Sequence, residues 1–396
     1  MVEWKKLGDV CEIKNGYTPS TKNHEFWDNG DIPWFTLEDI RKNGRVLFDS
    51  FKHITSKGVK KSGLFPKDSI IISTTATIGE YALIKSHFLC NQQITCLSIK
   101  DNQKSQLDYK YLYYLSDGIG KWCQKNVNGG GSLLIVSTSK LNNLQIPIPS
   151  LSEQTRIVGI LDTFTASIEN LKQQIEERRK QFIWYLDKLY YANKSELLEA
   201  SKKGEVIVKT FDEIGTFTRG RRFVRTDIVP EGVPCIHYGD MYTYYGVWAD
   251  KTPTHLTKEI SEKLRFAQKS DVVIVAAGEN DIDIGVGVAW LGDEDVVVHD
   301  ACFIFSHRQN PKYISYYLRS NNYHQQIRMG VVDGKICSIS AKELGRTIIS
   351  VPSLQEQSRI VSILDTFEAS IANLEAQLKQ REKQYEYYRN KLLTFE

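Results

Sequence analysis

Residues Pro149–Leu189 return as Pro352–Leu392, displaced by 203 positions without a gap, and 25 of the 41 positions are identical. A match of that quality inside one chain is far beyond chance and sets the order domain, helix, domain, helix. Fainter echoes lie upstream at nearly the same offset. Leu7-Gly8-Asp9-Val10 with Asn15-Gly16 answers to Phe211-Asp212-Glu213-Ile214 with Arg219-Gly220. Ile32-Pro33 with Asp39 answers to Val233-Pro234 with Asp240, and Lys110-Tyr111-Leu112 to Lys312-Tyr313-Ile314. The helices have stayed alike while the domains kept only a skeleton, so one job is held constant and another has diverged.

In the first copy, apolar residues fall at Ile157, Leu161, Phe164, Ile168, Leu171, Ile175 and Phe182. The second copy repeats the register at Ile360, Leu364, Phe367, Ile371, Leu374, Leu378 and Tyr385. Spacings that alternate four and three describe a coiled-coil seam. Ser150 and Ser353 suit N-caps, with Glu153 and Glu356 completing capping boxes. A helix of about 38 residues spans roughly 57 Å. Two matched seams most simply pair with each other, antiparallel and with pseudo-two-fold symmetry. Arg178 and Arg381 share one seam position and are expected to extend toward solvent. Near-identical outer faces then imply two copies of one partner.

On these signals the chain is expected to divide into a first domain over 1–149, a first helix over 150–192, a slack linker over 193–208, a second domain over 209–352 and a second helix over 353–394. Each domain has an ordinary size. Short apolar runs, Ile70-Ile71-Ile72 and Val272-Val273-Ile274-Val275, read as strands, and Asp108–Lys125 and Pro311–Arg328 as tyrosine-rich helices. The fold class is α+β.

Side chains suited to base edges gather in the expected loops. The first domain offers Lys14, Asn15, Tyr17, Thr36, Glu38, Thr75, Thr77, Asn91 and Gln92, with Gly130 and Ser132 in a glycine run able to approach a phosphate. The second offers Arg219, Arg221, Arg222 and Arg225, then Tyr238, Asp240, Tyr242, Glu279, Asn280 and Lys335. Each loop alone also reads as a turn. The arginine cluster says more, because crowded guanidiniums repel unless an anion joins them.

Composition narrows the function. The net charge of +3, from 51 basic and 48 acidic residues, is too small for a protein that holds DNA by bulk charge. The first 150 residues carry 19 basic against 14 acidic side chains, whereas residues 206–352 carry 17 against 18. No apolar stretch is long enough to span a bilayer and the N-terminus lacks a signal-peptide core. Seven scattered cysteines without a CxxC pair fit free thiols in a reducing cytoplasm. No phosphate-binding GxxxxGK[ST] loop, Asn-Pro-Pro-Tyr-type methyltransferase motif or metal-ligand spacing is present, so no catalytic or metal residues are assigned. Glu12-Ile13-Lys14 mimics the end of a nuclease motif but reads better as an exposed strand.

The doubled segment, Ile148-Pro149-Ser150-Leu151-Ser152-Glu153-Gln154-Thr155-Arg156-Ile157-Val158 with Ile160-Leu161-Asp162 and its copy Val351-Pro352-Ser353-Leu354-Gln355-Glu356-Gln357-Ser358-Arg359-Ile360-Val361 with Ile363-Leu364-Asp365, resembles the DNA-specificity subunit of type I restriction-modification systems. Gly30-Asp31-Ile32-Pro33-Trp34 and Thr77-Ile78-Gly79 through Asn91-Gln92 resemble that family's target-recognition domains. The second domain departs from the pattern, with Cys235 in the place of Trp34 and His299-Asp300 near the place of Asn91-Gln92.

The resemblance implies a non-catalytic subunit. Each domain would read half of a bipartite, asymmetric site on double-stranded DNA through the major groove, with the helix pair as a ruler. Two methyltransferase subunits, using S-adenosylmethionine, would dock on the helices. ATP- and Mg²⁺-dependent translocase-nuclease subunits would complete the restriction enzyme. No cofactor would be bound by this chain. Two rival readings stay open: a self-sufficient nuclease or methyltransferase, which would show turnover alone, and a coiled-coil adaptor for proteins, which would tolerate loss of Arg221 and Arg222.

Overall fold

The computed structural model describes residues 2–128, 134–279, 281–332 and 334–395. The chain divides into two compact units, Met1–Leu171 with Gln377–Glu396 and Lys172–Ala376. The long helices, Leu151–Tyr190 and Leu354–Leu393, therefore each contribute to both units.

In the first unit a five-stranded sheet runs in the order Cys11–Asn15, Ile94–Ile99, Ser69–Ser73, Tyr81–Ile84, Val46–Leu47. Its neighbours are antiparallel except the last pair, which is parallel. A smaller sheet joins His53–Ile54, Ile32–Phe35 and Leu89–Cys90, and a two-stranded ribbon joins Glu3–Lys6 to Gln145–Ile148. Every residue of Ser69–Ser73 is buried, which explains the continuous apolar run instead of alternation. The helix Tyr109–Lys125 covers this sheet with Tyr111, Leu112, Leu115, Ile119 and Cys123, an i, i+3/i+4 stripe. Asp108 caps it by accepting from the Lys110 and Tyr111 N–H groups.

The second unit repeats this plan although its sequence has drifted. Its sheet order is Gly215–Arg219, Cys302–His307, Val272–Val275, Gly287–Trp290, Trp248–Ala249, again with a parallel last pair. The smaller sheet is extended at both edges, by Ile228–Val229 and Phe266–Ala267. The expected helix Pro311–Arg328 is broken into Pro311–Tyr317 and Asn321–Ile327, because Ser320 caps the second piece through the Tyr323 N–H. The expected linker 193–208 is also not slack. Asn193 caps a helix over Lys194–Lys202, whose Leu197 and Ala200 are buried.

One glycine recurs because backbone leaves no room for a side chain. A Cβ on Gly16 would lie 2.2 Å from the Cys90 carbonyl oxygen, and one on Gly220 would lie 2.2 Å from that of His299. Gly16→Ala is expected to cost about 3 kcal/mol, near the top of the overpacking range, and to lower the melting temperature by roughly 6–12 °C. A thermal shift under 2 °C would contradict this crowding.

The repeated helix motif is explained by a joint made in each unit. Ser150 and Ser353 cap their helices as expected. The capping boxes do not close, since Glu153 and Glu356 are instead gripped by Arg156 and Arg359 one turn on. Gln154, fully buried, donates to the Gln106 and Pro149 carbonyls and accepts from the Asp108 N–H at 2.8 Å. Gln357 likewise donates to the Pro352 carbonyl and accepts from the Asn310 N–H, but its third bond is donated to the Gln309 side-chain oxygen. Asp162 receives Lys110 at 2.6 Å and the Tyr114 hydroxyl at 2.7 Å, and Asp365 receives Lys312 and Tyr316, both at 2.8 Å. Ile157, Val158 and Leu161, like Ile360, Val361 and Leu364, enter the domain cores. Much of the shared sequence thus locks each helix to its own domain, rather than facing outward.

Within each unit the helix segments run antiparallel. In the first, Phe164 stacks on Tyr388 at 5.4 Å and sits beside Tyr385. In the second, Tyr185 meets Phe367 at 5.0 Å and Arg179 pairs with Glu375 at 2.6 Å. All fourteen seam residues named above are buried or half-buried. Arg381 lies over the Phe164 ring at 5.7 Å and Arg178 over Phe367 at 5.9 Å. Instead of simply extending to solvent, both guanidiniums hold a matched cation–π contact in the seam.

Candidate nucleic-acid interface

Strand pairing carries most of the singled-out loops to one end of each main sheet. In the first unit Asn15 pairs with Thr95 and Ser73 with Ile94, so the loops after Asn15, after Ser73 and before Ile94 leave from the same edge. Lys14, Asn15, Thr75, Thr77, Asn91 and Gln92 therefore lie together. Thr36 follows Phe35, whose carbonyl accepts from the Asn91 N–H, which brings the Thr36–Glu38 turn to the same end. The segment before Ser137 joins them through the Val136 N–H to the Thr74 carbonyl. Gly130 and Ser132 in that segment lie outside the described residues.

Several of these side chains are engaged within the domain. Asn15 accepts from Thr95, which in turn bonds Thr74 inside the domain, at 2.8 Å per step. The Tyr17 hydroxyl accepts from the Lys60 N–H at 2.8 Å and donates to the Gly58 carbonyl, with the Lys60 ammonium over the ring. Thr36 caps its helix through Asp39. Asn91 accepts from the Gln93 N–H. Glu38 pairs with Lys42 at 2.6 Å, whose ammonium holds that carboxyl below its usual range. Lys14 pairs with Glu12 along an exposed strand, and Gln92 accepts from the Thr18 hydroxyl. Thr77, Lys14 and Gln92 are the exposed polar groups of the set best able to meet a ligand.

The second unit uses the same end. Arg219 pairs with Phe303 and Val275 with Cys302, while Ala277-Gly278 pairs with Cys337-Ser338. The arginine loop, Glu279 and the turn bearing Lys335 therefore converge. Asn280 lies outside the described residues. Arg219 and Arg221 are exposed, each fixed by one bond to a carbonyl, of Asp300 and Lys263, both at 2.8 Å. Arg222 and Arg225 are exposed and form no ion pair among the described residues. Arg265, 40 positions downstream, completes the group by donating to the Arg219 carbonyl. The linear sequence gave no sign of it, since only the pairing of Phe266–Ala267 with Val296–Val297 brings it there.

Behind the arginines lies an aromatic floor of Phe223, His237, Tyr238 and His299, with ring centres 4.6–5.9 Å apart. Burial, with Arg225 beside His237 and Arg222 beside His299, holds both imidazoles below their ordinary range. The imidazoles of the floor are thus biased toward their neutral form, and the surface charge comes from guanidinium. Asp240 is spent on structure, accepting from the His237 N–H and from Thr254, as Asp39 does in the first unit. Tyr242 is part-exposed, and its phenol is pushed up by burial. The departure at His299 preserves the turn: its ring nitrogen accepts from the Ala301 N–H as the Asn91 side chain accepts from Gln93.

Clustered guanidiniums and hydrogen-bonding side chains on one domain end fit phosphates and base edges. Among the described residues no cluster of His, Cys, Asp or Glu could hold a metal ion, and no helix is long and apolar enough to cross a membrane. All seven cysteines are buried.

Comparison with known proteins agrees with this geometry. The model of the type I restriction modification DNA specificity domain matches residues 1–178 and 203–383. The specificity subunit of the Escherichia coli type I restriction enzyme EcoprrI is 42% identical over 219 residues, which is 52% of this chain and 54% of that subunit. The match thus spans about half the length of that relative. A putative type I specificity subunit of Haemophilus influenzae is 27% identical over 412 residues, covering 100% of this chain and 96% of its own. The crystal structure of an S subunit from M. genitalium shares the fold at 17% identity and a TM-score of 0.55, over 100% of this chain and 97% of that one.

Proposed function

We infer the function from one premise: the chain belongs to the type I restriction modification DNA specificity family, whose model matches both of its halves. The proposed role is sequence-specific recognition without catalysis. Each domain reads one half of a bipartite, asymmetric site on double-stranded DNA, and the helices keep the halves at a set separation. The observation that carries this reading is where the two domains differ. Their main sheets repeat strand for strand, yet one end of that sheet presents Lys14, Thr77 and Gln92 in one unit and an arginine group in the other. Phosphate contacts would position each domain and these side chains would specify the bases.

The partners proposed are two methyltransferase subunits and restriction-translocase subunits in the cytoplasm. S-adenosylmethionine, ATP and Mg²⁺ would be used by those subunits, and partners sharing phosphate contacts would account for the modest charge of this chain. Two matched exposed sites support a pair of like partners. Trp184, 55% exposed, carries the Lys188 ammonium over its ring, and Tyr387, 59% exposed at the equivalent position, carries Lys391. Leu151 and Leu354 form a second exposed pair. Exposed aromatics of this kind are typical interface anchors, worth roughly 2 kcal/mol each. Trp184→Ala with Tyr387→Ala is expected to cut co-purification of the methyltransferase at least tenfold and to leave the melting temperature of this chain within about 2 °C. Undiminished co-purification would place docking elsewhere.

The function is tested by co-expressing the chain with its methyltransferase subunit and supplying a random-sequence DNA library. Recovered methylated molecules should share one split motif with an unread gap. Methylation without a motif, or turnover by the chain alone, would refute the proposal.

A further inference from the structure

The long helices are near copies, yet they differ where their ends meet the domains. In the first unit the end of the second helix lies against the helix Tyr109–Lys125. Arg389 is 9% exposed and pairs with Asp117 at 3.0 Å. Asp117 is also reached by Lys121 and Arg45, and Leu392, Leu393 and Phe395 close over the apolar core.

In the second unit the equivalent positions have changed on both sides. Leu186 stands where Arg389 does, and Arg319 where Asp117 does. Leu186 is buried in the core. The Arg319 guanidinium turns inward onto the carbonyls of Gly246, Gly287 and Ser315, and burial pulls it down to about 10. Tyr190 replaces Leu393. It is fully buried, packs its ring at a tilt against Tyr313 and Tyr317, and donates its hydroxyl to the Tyr313 carbonyl at 2.7 Å. Asn321 and Asn322, in the places of Ile119 and Gly120, bond Asp187 and the Tyr190 carbonyl.

Exchanging the ends would spoil both contacts. The second helix's end on the second domain would bring Arg389 toward Arg319, two like charges with little water, and would leave the Tyr190 slot half empty. The first helix's end on the first domain would remove the arginine from Asp117 and force a phenol into space shaped by Leu393.

We propose that the two helix-end contacts form an orthogonal pair: each domain accepts the end of the other half's helix and rejects a copy of its own. The seam carries part of the distinction, since Arg179 pairs with Glu375 where Glu382 and Lys172 stand in the other copies; at the helix ends, partner choice is placed in Asp117–Arg389 and in Leu186, Tyr190 and Arg319. The chain then assembles only from unlike halves, whatever its domains bind.

The test uses the full chain in four forms: native, Leu186→Arg, Arg319→Asp and the double variant. Each single substitution is expected to lower the melting temperature by about 10 °C, as for a buried charge without its partner. The double variant recreates the Asp117–Arg389 pairing and should recover at least half of that loss. It also gives the first helix an end suited to the first domain, so light scattering should show association at concentrations where the native chain shows none. An unchanged melting temperature for Leu186→Arg, or a double variant no better than its worse parent, overturns the proposal. Should the charged variants fail to fold, Tyr190→Leu reads the same slot without a charge. It is expected to lose about 5 °C or more, and a melting temperature at or above native contradicts the code. These readouts concern folding and association, so they are independent of the DNA reading.

Discussion

Replacing residues 1–149 with the equivalent domain of a relative that methylates a different site is expected to change one half of the DNA target and leave the other half and the gap unaltered. The structure supports a junction there. Pro149 precedes the helix, and the joint that follows is rebuilt from residues shared by both halves: Gln154, Ile157, Leu161 and Asp162 on the helix, Lys110 and Tyr114 on the domain. Asp117 must be retained or replaced together with Arg389, because breaking a buried pair costs about 3–5 kcal/mol. The effect on specificity should be complete, with the old half-site lost from the methylation pattern. A hybrid that changes both halves, or neither, would show that the domains do not read independently.

Removal of two guanidiniums from the second domain should be nearly as severe. Arg222→Ala with Arg225→Ala takes away two exposed arginines that, among the described residues, form neither an ion pair nor the carbonyl bond that holds Arg219 and Arg221. A good guanidinium–base contact is worth about 1–3 kcal/mol, so affinity of the assembled complex for its site should fall roughly 30-fold to 10⁴-fold. The slope of log affinity against log salt should also decrease, by about one for each phosphate contact removed. Stability should hold, since neither side chain is buried. Lys14→Ala in the first domain is the matched control, with a smaller loss because that ammonium is already paired with Glu12. Unchanged affinity for the double variant would leave recognition to other residues.

The sequence displayed the long-period features because they depend on spacing alone. The duplicated helices and their seam follow from a 3.5-residue repeat, which survives any packing detail. Features decided by competition between near neighbours were less visible. Glu153 could close a capping box, but Arg156 one turn later offers a charge-assisted bidentate grip and wins. Ser320 looks like an interior helix residue until its hydroxyl caps a new helix start. Gln154 and Gln357 are polar residues with no local mark of burial, yet each is fully buried as a bridge between helix start and domain.

Features built from distant segments were hidden for another reason. Asp117 and Arg389 lie 272 positions apart, and nothing local marks either as half of a pair. Arg265 joins the arginine group only through strand pairing. For the candidate interface, the loops were legible but the roles within them were not. Hydrogen-bonding side chains at a domain end serve two purposes, and only geometry separates Asn15, Tyr17, Thr36 and Asp240, which hold their turns, from Arg222 and Thr77, which face outward.

The proposed role of this chain is to specify a split DNA site for adenine methylation. It is tested most directly by mapping methylated bases across the source genome with the gene intact, deleted and restored. One bipartite methyladenine motif is expected to disappear on deletion and return with the gene, while other methylated motifs persist. An identical methylation map in all three strains, with the methyltransferase subunit expressed, would contradict it.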